Sequence, residues 1–253
     1  MQRLVLLVVS VAVAGLVSGA ARAEKSGPQG DTWASIAKLP DFTGGIWETT
    51  FGGRRGRGTR PEPPSFTSAY AAKLEAYETA QRRGDIQDTP AANCVPPGMP
   101  NMMTQPYPIE FLFTPGKVTI IAEAYSQWRQ IFTDGRQHPE DPDLTFNGHS
   151  IGHWEGDTLV VDTIGFTTDT RIGRSFGMEH SDKMHIVERM HLTDADTLAI
   201  ETTITDPEAL TKPWTSMASY GRHRDWTLAE YVCQQNNRNG LTDSGKSTID
   251  LEQ

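Results

Sequence analysis

The chain has 253 residues, with 23 Lys and Arg against 32 Asp and Glu, and its formal net charge is −9 at pH 7. A chain of this size can bury one substantial hydrophobic core. Its acidity argues against nucleic acid or an anionic membrane surface as a partner.

Residues 1–23 have the features of a cleavable secretory signal peptide. An early Arg precedes an apolar run from Leu4 to about Val17, and small residues lead to an A-x-A pattern at residues 21–23. A membrane anchor is the alternative, but the run is shorter than the ~20 apolar residues of a spanning helix. We therefore expect cleavage before Glu24 and a periplasmic or secreted protein that is not inserted into the membrane.

The first part of the mature chain contains one predicted strand and one predicted helix. Residues 24–40 are polar, and we predict a flexible N-terminal segment there. Residues 41–50 are typical of a strand. Apolar side chains then recur at spacings of four and three between residues 65 and 84, which predicts a helix over about 67–83.

The rest of the chain is dominated by short apolar segments separated by turn sequences. The segments predict these strands: 109–113, 118–124, 127–133, 149–154, 158–166, 184–192, 197–205 and 217–226. Short hairpins without crossover helices favour an antiparallel meander, and closing it removes its edges. We predict a mainly β, lipocalin-like barrel of about eight strands as a single domain over 41–238, followed by a disordered tail over 239–253.

The chain has two cysteines, Cys94 and Cys233, and both lie in the exported part. An oxidising compartment favours their pairing. We therefore predict a Cys94–Cys233 disulfide, with two free thiols as the alternative.

Residues Gly148–Gly152 spell G-x-S-x-G, the nucleophile elbow of α/β-hydrolases. An elbow needs a buried strand before its serine and a helix after it. Here an acidic, proline-interrupted loop precedes Ser150, and a hairpin turn follows it. We therefore predict that Ser150 is a strand or turn residue and that the protein is not an α/β-hydrolase.

One carboxylate is in phase with the apolar face of a predicted strand. Glu188 shares that face with Met184, Ile186, Met190 and Leu192. Its burial costs several kcal/mol unless it is paired or protonated. Arg129 and Arg136 are its candidate partners. Two interpretations stay open: a structural ion pair, or a catalytic site in which an arginine binds an anionic or carbonyl oxygen while Glu188 or a histidine moves a proton.

Several of the seven histidines are candidates for chemistry. His180 comes just before the strand of Glu188, where the mouth of a barrel would lie, and we predict it as a general base, with a simple loop histidine as the alternative. His138 is a further catalytic candidate. His149 with His153, or His138 with His149, could be offered to a metal, yet no H-x-H or H-E-x-x-H pattern occurs. We predict neither a metal nor another cofactor.

Aromatic and polar residues near these candidates could line a substrate cavity. Ordinary core or rim positions are the alternative for the aromatic ones. The residues that we predict to bind substrate are Tyr125, Trp128, His153, Trp154 and Glu155.

The succession of motifs resembles a large group of exported bacterial proteins, most of them without an assigned function. The motifs are Arg129-x-Ile131, Asp134-Gly135-Arg136-x-His138, the G-x-S-x-G-x-W-E-G-D-T-L-V-V-D-T run over 148–163, Glu188-Arg189 and Asp206-Pro207. This resemblance covers roughly residues 41–238 and implies no known catalytic residue. More loosely, Gly45-Ile46-Trp47 before a meander looks like the lipocalin or calycin barrels, which implies a cavity for a small hydrophobic molecule.

The residues lead to one preferred function and one alternative. We expect an exported enzyme that performs cofactor-independent acid/base chemistry, as a lyase, isomerase or hydrolase, on a hydrophobic or aromatic molecule in a barrel cavity. Glu188 and His180 would exchange protons, and Arg129 or Arg136 would stabilise negative charge. The alternative is a non-catalytic, lipocalin-like carrier of a small hydrophobic ligand.

Overall fold

A computed structural model describes residues 29–50, 62–85, 94–173, 177–236, 239–241 and 247–249. The predicted signal peptide lies outside these residues. In the described part of the chain, no helix has the length and apolar character needed to cross a membrane.

Nine strands form a closed barrel, which confirms the predicted fold class. Each strand coincides, to within a few residues, with an apolar segment bounded by turn sequences. The strands are β1 Ile46–Thr49, β2 Ile109–Thr114, β3 Lys117–Ala122, β4 Gln127–Phe132, β5 His149–Glu155, β6 Thr158–Ile164, β7 His185–Asp194, β8 Thr197–Thr205 and β9 Trp214–His223. The ring closes where β1 pairs antiparallel with β9, with Trp47 opposite Arg222.

One neighbouring pair, β4 and β5, is parallel, whereas all the others in the ring are antiparallel. The parallel ladder is short, with Ile131 opposite Ser150 and Phe132 opposite Ile151. A parallel pair cannot be joined by a tight hairpin, so the chain needs a long connection here. Residues 133–148 make that connection and carry Arg136 and His138.

Side chains alternate between the barrel interior and its outer face along each strand. Inside, large apolar side chains pack together into one core: Phe42, Trp47, Phe111, Ile120, Ile131, Leu159, Val161, Ile186, Met190, Ile200 and Tyr220. Trp47 donates its indole N–H to the carbonyl of Phe42 at 2.7 Å. The guanidinium of Arg222 lies over the Trp47 ring at 4.4 Å and contacts Asp41. These contacts hold one end of the barrel together.

The predicted long helix is confirmed as α2, Ser68–Arg82, which follows a short helical turn, α1, at Trp33–Ile36. Gly84 has a φ of +74°, a left-handed conformation that ends a helix at little cost for glycine. No side chain of α2 is fully buried, and Lys73 pairs with Glu179 at 3.0 Å. The helix therefore lies on the barrel surface and does not belong to its core.

Two segments with no predicted regular structure contain short elements. In the N-terminal segment, α1 has a capping box between Thr32 and Ser35. In the tail, strands β10 (Asn239–Leu241) and β11 (Ser247–Ile249) form a two-stranded antiparallel sheet. Residues 24–28 of the first segment, and residues 242–246 and 250–253 of the tail, lie outside the described part.

The predicted disulfide between Cys94 and Cys233 is present, with the two Cα atoms 5.7 Å apart. It joins the segment before β2 to the segment after β9, and 139 positions of sequence separate its two cysteines. A covalent loop of this length greatly restricts the unfolded chain.

We expect the double variant Cys94→Ala/Cys233→Ala to lose about 2–5 kcal/mol of unfolding free energy, because its unfolded chain regains that freedom. Urea denaturation under non-reducing conditions measures this loss. The reduced wild-type protein serves as a control and should match the variant. A variant as stable as the oxidised wild type would contradict the expectation.

Candidate functional site

The barrel interior contains a buried ion pair between two predicted site residues. Arg129 on β4 and Glu188 on β7 are 1% and 0% exposed, and Nη2 of the arginine lies 2.5 Å from Oε2 of the glutamate. Arg129 also donates from Nε to Ser150 Oγ at 3.0 Å and from Nη2 to Thr163 Oγ1 at 2.8 Å. One guanidinium therefore links four consecutive strands, β4 to β7, from inside.

The contact between Arg129 and Glu188 is an attraction of charges more than a well-formed hydrogen bond. The two groups are at ion-pair distance, yet neither Glu188 oxygen makes a hydrogen bond of good geometry with the described residues, and the same holds for Arg129 Nη1. Burial, and secondarily the Glu188 charge, raise the pKa of Tyr220. Because both side chains of the ion pair are buried, a substrate has no direct access to it.

Ser150 occupies a strand and makes interior hydrogen bonds. It lies in β5, is 1% exposed, accepts from Arg129 and shares a hydrogen bond of 3.0 Å with Thr163. The chain continues from Ser150 along β5 and turns into β6. The strand–turn–helix setting of a nucleophile elbow is therefore not the setting of this serine.

Replacing Arg129 with methionine should cost about 3–5 kcal/mol of unfolding free energy, because the Glu188 carboxylate then stays buried without a partner charge. Chemical denaturation measures the loss. Adding Glu188→Leu to Arg129→Met should restore most of it, and a double variant no more stable than Arg129→Met alone would contradict this account. As a control, Lys73→Ala breaks an exposed ion pair and should cost less than about 1 kcal/mol.

His180 is buried away from the interior ion pair. Its Nδ1 lies 2.7 Å from the carbonyl of Ser181, and its Nε2 lies 2.7 Å from Thr170 Oγ1. Because a carbonyl only accepts, Nδ1 carries the hydrogen and Nε2 accepts from the threonine. Neither Glu188 nor Arg129 is among these partners of His180, so the structure does not bring these three of the five predicted catalytic residues together.

His180, Ser181 and Asp206 are neighbours, yet they do not form a hydrolytic triad. Asp206 binds Ser181 instead of the histidine, with Oδ2 accepting from the Ser181 N–H and Oδ1 from its hydroxyl, both at 2.7 Å. Oδ1 also accepts from the N–H groups of Glu208 and Ala209. In a triad the carboxylate orients the histidine. Here it holds two loops together.

Burial lowers the pKa of His180 below its usual value of about 6.5, so the folded protein holds this side chain neutral. The histidine of the unfolded chain binds a proton more readily than the buried one does. The contribution of neutral His180 to stability is therefore complete above about pH 6.5 and is lost as the pH falls towards the lower pKa of the folded state. We expect a shallower fall of unfolding free energy below about pH 6.5 in His180→Gln than in the wild type. Urea denaturation at several pH values tests this, and parallel curves would contradict it.

A second cluster of polar side chains lies on the outer face of β5, β6 and β7. His138 Nε2 is 3.0 Å and His185 Nε2 is 2.8 Å from the same atom, Asp162 Oδ1. His138 Nδ1 lies 2.8 Å from Nδ1 of His149. The side chain of His138 is 17% exposed and that of Asp162 is 41% exposed, so solvent reaches the cluster. We call these four residues the outer histidine cluster.

An aromatic and cationic stack flanks the outer histidine cluster. The Phe132 ring is stacked on His149 with centroids 5.5 Å apart, and the guanidinium of Arg136 lies 3.8 Å from the Phe132 centroid. Arg136 is also paired with Asp134 at 2.6 Å. Burial first, and then the nearby His138 and Arg136, lower the pKa of His149. His149 is therefore neutral at neutral pH and can accept a proton.

The residues predicted to bind substrate are distributed over different parts of the barrel. Tyr125 packs against Tyr231, and burial with that neighbour raises the pKa of Tyr125 to about 12. Trp154 is buried against Phe42. The remaining residues are on the outer face, where Trp128 is 61% exposed and His153 pairs with Glu155, which also pairs with Arg189. They do not line one common site in the barrel interior.

Asp162 and His185, two members of the outer histidine cluster, are not among the candidates named from the sequence, and His149 is named there only as a possible metal ligand. The feature of the sequence that could have identified these residues is the pairing register of β6 with β5 and with β7. Asp162 lies opposite Ile151 and next to Val187, and His185 is on the same face as Val187. Aligning the two hairpins would have placed Asp162 near both histidines. As the side chains stand in the described residues, no group of three or more His, Cys, Asp and Glu has the geometry of a metal site.

Comparison with models of known protein families finds none that matches this chain, and a search of characterised proteins finds no significant match. The resemblance to exported bacterial proteins therefore stays a prediction.

Proposed function

We propose that the protein is an exported enzyme that performs acid/base chemistry on a small hydrophobic or aromatic molecule at the outer histidine cluster. The observation that carries this proposal is the contact of His138 Nε2 with Asp162 Oδ1 at 3.0 Å, in a solvent-accessible position. A carboxylate that orients an imidazole is a common arrangement for a catalytic base. The disulfide supports an oxidising compartment outside the cytoplasm.

The proposal moves the reaction from the barrel interior to its outer face. Arg129 and Glu188 are at most 1% exposed and are surrounded by core side chains, and His180 is only 2% exposed. A proton acceptor has to come within hydrogen-bond reach of its substrate. The outer histidine cluster meets this requirement, whereas the interior groups are better explained as parts of the framework.

The surroundings of the cluster favour an apolar substrate that becomes negatively charged. Register places Phe132, Ile151, Asp162 and Val187 in one row across the outer face, so apolar side chains border the carboxylate. The positive charge of Arg136 that lowers the pKa of His149 also favours negative charge developing on a substrate beside it. A phenolic hydroxyl or a C–H next to a carbonyl would suit this setting.

Exchange of substrate protons with solvent provides the test. Small aromatic carbon acids, incubated with the protein in D₂O, should lose their acidic C–H signal in proton NMR spectra. We expect His138→Gln to reduce the exchange rate by about a hundredfold or more, because the base loses its orientation and its proton path. His191→Gln changes a histidine outside the cluster and should leave the rate unchanged.

The same NMR samples also test the carrier alternative. Saturable binding of these molecules with no exchange above the rate in buffer would contradict the catalytic proposal and favour a binding protein. Exchange that is equally fast in His138→Gln would move the reaction away from the outer histidine cluster.

A further inference from the structure

We propose that Asp162, His138 and His149 form an ordered proton relay whose proton-accepting atom is Nε2 of His149, with His185 holding the carboxylate in place. This inference rests on the proposed function and deepens it, because it assigns a direction to the proton chain and a role to each member. It follows from which atoms can donate and which can only accept.

The direction of the relay is set by Asp162. An ionised carboxylate only accepts hydrogen bonds, so the nitrogens that contact its Oδ1, Nε2 of His138 and Nε2 of His185, must each carry a hydrogen. A neutral His138 with its hydrogen on Nε2 has a lone pair on Nδ1. That lone pair faces His149 Nδ1 at 2.8 Å, so His149 must donate there. The hydrogen of a neutral His149 is then on Nδ1.

This series of hydrogen bonds leaves Nε2 of His149 with a free lone pair. No group in the described part of the chain makes a hydrogen bond to that atom. The Phe132 ring covers one face of the imidazole and limits its rotation. His149 therefore offers one oriented basic nitrogen, and the rest of the cluster determines which nitrogen it is.

The relay also moves positive charge towards Asp162 when it works. As the substrate O–H or C–H bond breaks, its electron pair stays on the substrate and the proton forms a new N–H bond at His149 Nε2. The proton between the two Nδ1 atoms can then pass from His149 to His138. His149 becomes neutral again, and the imidazolium is now His138, whose Nε2–H faces the carboxylate. The product is reprotonated by the reverse path, so the cycle needs no other reactant.

The charged and titratable groups around His149 come from three elements, and of these His138 and Arg136 lower its pKa after burial. The connection between β4 and β5 contributes Asp134 and Arg136, which neutralise each other in part, and His138. Strand β6 contributes Asp162, and β7 contributes His185, which faces the other side of the carboxylate. Of the negatively charged groups, Asp162 is the one connected to His149 by hydrogen bonds, so the relay makes a specific prediction for its removal.

Nitrogen-15 NMR of the histidine rings tests the relay without any substrate. Above neutral pH we expect long-range proton–nitrogen spectra to show His149 as the Nδ1–H tautomer and His138 as the Nε2–H tautomer. His138→Phe removes the acceptor, and His149 should then change to the Nε2–H tautomer that free imidazole side chains prefer. A wild-type His149 with its hydrogen on Nε2 would overturn the relay, and this result needs no variant to fold.

Asp162→Asn supplies a second test, because asparagine keeps an oxygen that can accept from His138 but removes the charge. The relay predicts that proton uptake by His149 shifts to lower pH, because the imidazolium at His138 loses its counter-charge. An unchanged titration of His149 would also overturn the relay, since Asp162 would then have no influence through His138. His191→Gln serves as the control and should leave tautomers and titration unchanged.

These measurements separate the relay from the proposed function. The expected tautomers without any exchange of substrate protons would retain the relay and reject the enzyme. Exchange that depends on His138 but with the opposite tautomers would retain the enzyme and reject the relay.

Discussion

An odd number of strands cannot close into a ring in which every neighbour is antiparallel. With nine strands, at least one pair must run parallel, and in this barrel it is β4 and β5. A parallel pair needs a long connection, and residues 133–148 provide it. The same constraint therefore produces a short β4–β5 ladder, with as few residue pairs as the ladder of β1 and β2, and the loop that carries His138 to the outer face.

Side chains reinforce this β4–β5 junction on both faces of the sheet. Inside, Arg129 on β4 bonds to Ser150 on β5 and reaches Glu188 on β7. Outside, His138 connects the long loop to His149 on β5 and Asp162 on β6. The interior ion pair has no access to solvent, and its role is to hold the strands of the barrel together. The outer group is reached by solvent and is the part of the junction to which we assign chemistry.

The sequence predicted the fold better than the site. Alternation and turn residues located the strands of the barrel, the α2 helix and the face on which Glu188 lies, because these follow from local spacing. The pairing of Glu188 with Arg129 was open as a structural possibility, and the structure favours it. The outer cluster depends on which residues lie opposite one another across three strands and on the path of a loop. Asp162 and His185 belong to strands whose local pattern gives no hint of a common neighbour.

The position of the disulfide divides the barrel into two unequal covalent parts. The loop closed by Cys94 and Cys233 contains β2 to β9, whereas β1 and α2 precede it in the chain. The strand that completes the ring is thus held in the barrel by non-covalent contacts, with Trp47 packed in the core and under Arg222. A single proteolytic cut between β1 and Cys94 would separate the barrel into two fragments with no covalent link. After such a cut, closure of the ring would depend on the pairing of β1 with β2 and β9 and on the burial of Trp47.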